Sequence, residues 1–176
     1  MMRFFYCLLL AICFENQTLF SNEEPTCWSG FTPGEFRNEQ VRESRFAEDA
    51  RAIVIASAKS EFDATRPTLL VIYATPNGNT AEQTLGCQLG KGMDWHFDIQ
   101  HAAAQWRRFR SLEKNRNSVL ACVQANTLSW PAWKAPRPTG PAVVKQIVEA
   151  LADSLPGSDV KVVLSSLLKK SISLDC

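Results

Sequence analysis

Thr68-Leu69-Leu70-Val71-Ile72-Tyr73-Ala74 is an unbroken apolar run, and Thr75-Pro76-Asn77-Gly78-Asn79-Thr80 follows it as a string of turn formers. A continuous run rich in β-branched and aromatic residues is the signature of a strand buried on both faces. Proline, asparagine and glycine end such a run because they favour tight turns over a sheet ladder. Thr80 and Gln83 then stand at capping-box spacing, which predicts a helix start. Buried strand, sharp loop and helix together form the basic unit of an α/β layer.

Working outward from that unit, the same alternation recurs. Residues 51–57 form a second strand candidate, joined to the first by a polar connection over 60–67. Gly86, Gly90 and Gly92 break any long helix after Gln83. Residues 97–112 then place Ile99, Ala102, Ala103, Trp106 and Phe109 or Arg110 on one helical face. Asn117 and Ser118 precede a strand over 119–123. Thr139-Gly140-Pro141 opens a further helix, with proline near its first turn. Its stripe is Val143, Val144, Ile147, Val148, Leu151 and Leu155, and Pro156-Gly157 ends it. Residues 160–164 are the last strong strand. Strands alternating with helices imply crossovers, so the predicted fold is α/β: a mostly parallel sheet with flanking helices.

Composition limits what such a domain does. The chain has 176 residues, a net charge of +1 and 45% hydrophobic residues, enough for one packed core. Near-neutral charge argues against a nucleic-acid partner, which calls for a basic excess. The one local basic cluster is Arg107, Arg108, Arg110, Lys114 and Arg116. It reads as a solvated helix terminus, where cations complement the macrodipole.

The N-terminus reads as an export signal. Met1-Met2-Arg3 starts positive, and an apolar run over 4–14 follows, too short to span a bilayer. Residues 1–21 are therefore expected to be a signal peptide with its cleavage position open, making the protein exported and membrane-associated only through that segment. Residues 22–47 are polar and turn-rich, an N-terminal extension with room for one short element. If Cys7 and Cys13 leave with the signal, Cys27, Cys87, Cys122 and Cys176 allow three pairings, which stay open. Cys122 lies inside an apolar strand and reads as a plain buried thiol.

In open parallel sheets, ligands bind beyond the carboxyl ends of the strands. Two loops there carry candidate residues. Asn77, Gly78 and Asn79 enter a helix start and can turn backbone N–H groups toward an anion, as an oxyanion hole requires. The same three residues also suit any sharp turn. Trp130 and Trp133 bracket Pro131 after the 119–123 strand; they either wall a substrate pocket or cover the top of the core.

The stretch from Leu69 to Gly86, with its Pro76-Asn77-Gly78-Asn79-Thr80 core, resembles the oxyanion-loop region of a group of bacterial α/β-hydrolases. Asp94-Trp95-His96-Phe97-Asp98-Ile99-Gln100-His101 and Ser129-Trp130-Pro131-Ala132-Trp133 are similar to the same group, and the likeness runs over about 51–164. The resemblance implies a serine hydrolase acting on a small or polymeric ester or amide, with no cofactor. It also implies that the strand at 160–164 delivers a G-x-S-x-G nucleophile elbow, with the acid and base later in the chain. Here the sequence instead continues Ser165-Ser166-Leu167-Leu168-Lys169-Lys170, with no glycine after Gly157 and no histidine after His101.

These residues set the expectations. Residues 48–166 form a partial α/β-hydrolase-like domain, 167–176 an aberrant or unstructured tail, and the chain is a truncated hydrolase, inactive as written. An apolar strand at 160–164 with nothing beyond it would expose an edge to a partner chain. The alternative is a non-catalytic envelope protein that binds a ligand or partner. A third reading takes Asp94, His96, Asp98 and His101 as metal ligands of a metal-dependent hydrolase, since alternate residues share a strand face. Against it, the run feeds a helix, on which Asp94, His96 and Asp98 serve better as cleft-lining or capping residues.

Overall fold

The computed structural model describes residues 26–36, 38–87, 101–157 and 159–166. The expected signal segment at 1–21, the residues Asp94, His96 and Asp98, and the tail at 167–176 lie outside them.

Among the described residues, six strands form one mixed sheet in the order β1-β2-β3-β5-β4-β6. The strands are β1 (Thr32–Pro33), β2 (Glu39–Phe46), β3 (Ala50–Ser57), β4 (Thr68–Ala74), β5 (Asn117–Ala125) and β6 (Val160–Ser166). The helices are α1 (Ala81–Leu85), α2 (Ala102–Leu112), α3 (Trp130–Lys134) and α4 (Gly140–Asp153), with one 3-10 turn at Lys59–Glu61.

The α/β alternation expected from the sequence is present, but the sheet is not mostly parallel. β1–β2, β2–β3 and β3–β5 are antiparallel, while β4 runs parallel to both β5 and β6. The physical reason lies in the connections. β2 and β3 are joined only by residues 47–49, with Ala47 at φ 46°, a hairpin turn. β3 and β4 are joined by residues 58–67, with no helix long enough to carry the chain back across the sheet. Only β4 to β5 and β5 to β6 contain helical crossovers. The polar segment at 22–47 also does more than extend the chain, since it contributes both β1 and β2.

Helices cover both faces. On one face Ile147 and Leu151 of α4, with Leu155 just beyond its end, pack onto Ala52, Val54, Leu70, Val119 and Ala121 of the sheet. On the other, Ala81 and Leu85 of α1 and Ala103 and Trp106 of α2 pack onto Ile55, Leu120 and Cys122. Burying side chains such as Leu70 and Leu120 stabilises the fold by about 1.5–3 kcal/mol each. All nine residues of β5 are buried, which makes it the centre of the molecule. β4 is less enclosed than its composition suggests. Leu69, Leu70 and Ile72 are buried, but Val71 and Tyr73 are only half-buried, because α2 leaves that face partly open toward β6.

Candidate functional site

The carboxyl ends of β4 and β5 lie side by side, and the chain leaves them in opposite directions: after β4 to α1 on one face, after β5 to α3 and α4 on the other. Such a divergence is where an open α/β sheet leaves a crevice. In this protein the crevice is crossed by hydrogen bonds. Thr75 donates its N–H to the carbonyl of Val123 at 2.9 Å, and Gly78 donates its N–H to the carbonyl of Leu128 at 2.7 Å. Gly78 is at φ 82° and Leu128 at φ 55°. Glycine adopts that region freely; for leucine it is an uncommon conformation that surrounding structure has to hold.

Of the three candidate oxyanion-loop residues, two therefore have their amides engaged: Gly78 with Leu128, and Asn79 with the carbonyl of Pro76 at 3.2 Å. Asn77 precedes them at the exposed apex of the turn. The helix start behind the loop is as expected. Thr80 Oγ1 accepts from Gln83 N at 3.2 Å, and Gln83 Oε1 accepts from Thr80 N at 2.9 Å, a complete capping box.

Beneath the loop lies a charged network. Arg51 of β3 donates from Nη1 and Nη2 to the two carboxylate oxygens of Glu82, at 2.8 and 2.6 Å. It also donates to Gln124 Oε1, at 3.2 Å from Nε and 2.8 Å from Nη2, and the same oxygen accepts from Ala81 N at 2.8 Å. The Arg51 hydrogen bonds hold the Glu82 carboxyl down to about 2. The Glu82 carboxylate in turn raises the Arg51 guanidinium. The fork matches carboxylate geometry, so two charge-assisted hydrogen bonds hold the pair. Its signal was present in the sequence: a lone arginine in the otherwise apolar run at 51–57.

Cys122 sits beside this network, with its Sγ 3.8 Å from the carbonyl of Ala81. Burial pushes its thiol up to about 12, so it is neutral and unreactive at ordinary pH. That agrees with the plain buried thiol expected from its strand. Cys27 and Cys87 are free thiols as well.

The two tryptophans separate. Trp133 is 2% exposed, and its Nε1 donates to Asp49 Oδ1 at 3.0 Å. Arg137 shares that carboxylate oxygen at 3.0 Å and donates from Nη1 to the carbonyl of Trp133 at 2.7 Å. Trp133 thus covers the core and pins α3 to the β2–β3 turn. Trp130 stands edge-on to it, with ring centroids 5.5 Å apart. It walls an apolar pocket of about 250 Å³ whose other sides include Ile72, Ala74, Ile147, Leu164 and Ser165. The Trp130 Nε1 is buried without a hydrogen-bond partner. A pocket that is mostly apolar, beside one unsatisfied donor, suits an apolar group carrying an acceptor. Composition alone did not reveal this pocket, because α4 and β6 build it with Trp130 from three distant stretches.

His101 directly precedes α2, while Asp94, His96 and Asp98 lie outside the described residues. Among the described residues no group of three or more His, Cys, Asp or Glu is placed to hold a metal ion. No helix among them is long and apolar enough to cross a membrane. The chain matches no family model, no curated protein and no solved structure.

Proposed function

We propose that the chain forms part of an exported serine-hydrolase-like fold for ester or amide substrates, and that residues 1–176 hold no G-x-S-x-G elbow or following histidine to support turnover. The observation that carries this reading is the parallel pairing of β6 with β4, in the register Tyr73↔Ser165 and Ala74↔Ser166. It brings the carboxyl end of β6 beside the loop at 75–80. In an α/β-hydrolase one oxyanion donor comes from the loop between the third strand and the first helix, and the nucleophile follows a later strand. Among the described residues β4 is the third full-length strand and α1 the first α-helix, so residues 77–79 would correspond to that loop. The donor would come from Asn77, or from Gly78 once the Leu128 carbonyl moves aside. The apolar pocket against Trp130 would take the acyl group of the substrate.

The test reads the coding DNA beyond the codon for Leu164 in all three frames. A G-x-S-x-G run with a later histidine in one frame supports the proposal; no such run in any frame defeats it. Separately, a fluorophosphonate probe should label no serine of the purified 176-residue chain. Labelling would overturn the claim of inactivity.

One observation favours the second reading, a non-catalytic envelope protein that acts through a partner. Val162, Val163 and Leu164 are 37%, 46% and 65% exposed on β6, whose outer edge pairs with no strand among the described residues. An apolar edge of this kind is a template for pairing. The occupant that fits is a second copy of the chain. Antiparallel pairing about a two-fold axis at Val163 sets Val162 opposite Leu164 and Lys161 opposite Ser165, so the strand's one charge never meets its own copy. Sedimentation over a range of concentrations decides it: a reversible dimer supports this reading, and a monomer throughout removes it.

A further inference from the structure

At the opposite end of the sheet from residues 75–80, a polar pocket of about 310 Å³ opens beside the amino end of β5. Five cations line it: Arg66, Arg107, Arg110, Lys114 and Arg116. Two carboxylates, Glu61 and Glu113, share the lining. The sequence suggested a solvated helix terminus for most of these cations, but the packing assigns them distinct tasks.

Arg107 and Arg110 converge on Glu39, whose side chain is 1% exposed, at 2.9 and 3.0 Å. Arg66 bonds to Asp63 at 2.9 Å and donates to the carbonyl of Lys114 at 2.9 Å. These three are structural. Arg116 meets Glu113 only at 3.6 Å, and Lys114 has no ion-pair partner among the described residues. Counting Glu39 and Asp63, five cations face four carboxylates in and around the pocket, a balance of one positive charge among the described residues.

Its depth supplies the second, independent observation. Ser118, 3% exposed, lines the pocket, and its Oγ is buried with no hydrogen-bond partner. A buried hydroxyl normally has a partner, and an exception asks for an explanation. Ser118 pairs with Leu69 and alternates with Leu120 and Cys122, so it lies on the α2 face, the face from which Arg107, Arg110 and Ser111 approach. An anion seated there would accept from Lys114 and Arg116, and from the Ser118 hydroxyl once the side chains that close it off from solvent move aside. Charge-assisted hydrogen bonds of this kind are the strong ones.

We infer that this pocket binds a small oxyanion of the phosphate type, either free or as a monoester. A nucleic-acid backbone is a poor match for one small pocket in a chain of net charge +1. The site is remote from the loop at 75–80, so it stands whether or not the hydrolase reading does.

The experiment is calorimetric titration of the full chain with inorganic phosphate and, in a second arm, glycerol phosphate. Saturable binding that weakens as ionic strength rises is expected. Equal affinity in the two arms marks the free ion as the ligand, and tighter binding of the ester marks a phosphorylated small molecule. The double variant Lys114→Gln, Arg116→Gln should bind at least about tenfold more weakly, and Ser118→Ala about tenfold more weakly. Arg107 and Arg110 are left alone because they hold Glu39. In phosphate-free buffer Ser118→Ala should melt no lower than the parent, since it removes a hydroxyl that has no partner there. No binding in either arm, binding unchanged in these variants, or a lower melting temperature for Ser118→Ala without phosphate would each overturn the assignment.

Discussion

Arg51 and Glu82 show how one pairing makes stability depend on acidity. The Glu82 carboxyl is held down to about 2 by Arg51, below the value near 4.5 of an unperturbed glutamate. A folded-state value below the unfolded one means stability that is present above about pH 4.5 and lost as pH falls toward 2. The Glu82 side chain is 45% exposed, so solvent screening keeps the contribution small. Urea denaturation across that window should show Glu82→Gln with a flatter acid limb than the parent chain. Glu39 belongs to the other regime. Its side chain is nearly enclosed and faces two guanidinium groups, so Glu39→Gln strands two cations and should destabilise by about 2–4 kcal/mol, read as a lower urea midpoint. For Cys122, alkylation of the native protein followed by mass mapping should leave this thiol unmodified while Cys27 and Cys87 react. These residue-level facts were unevenly legible. Cys122 was plain from its apolar neighbours, whereas Glu39 sits in a stretch whose charge pattern looks like surface until α2 folds over it.

Among the elements, β4, α1 and α4 were readable because their signals are local. A seven-residue apolar run, a capping box and a stripe closed by Pro156-Gly157 each carry their own start and stop. Thr80→Ala removes one half of the box and should cost about 1 kcal/mol, seen as a shift of the urea midpoint. Leu151→Ala on α4 opens a cavity in the main core and should cost about 2–5 kcal/mol by the same measurement. β2 was hidden because Glu-Gln-Val-Arg-Glu-Ser-Arg-Phe has little apolar content, and its pairing with β3 rather than its own composition makes it a strand. Strand direction was legible, but in the links. Residues 47–49 and 58–67 are too short for parallel crossovers, and that outweighs the general alternation of strands and helices. The tryptophans needed tertiary structure, since only the position of Asp49 distinguishes Trp133 from Trp130.

At the scale of the whole molecule, the two ends of the sheet offer different chemistry: an apolar pocket beside Trp130 at one, a cationic pocket over Ser118 at the other. The sheet's edges differ too. β1 is a two-residue bridge and a poor template, whereas β6 is apolar along most of its length. Val163→Lys sets like charges face to face on the proposed two-fold axis, so sedimentation should show a monomer where the parent dimerises. The order of strands also bears on synthesis. β4 is the most apolar of the early strands, yet both strands that flank it, β5 and β6, come later in the chain. While the polypeptide is being made, residues 68–74 emerge with neither lateral partner in existence, and they wait for at least residue 117 before one edge closes. A nascent chain of this topology presents the apolar strand at 68–74 before either of its partners, a state open to aggregation until β5 is made.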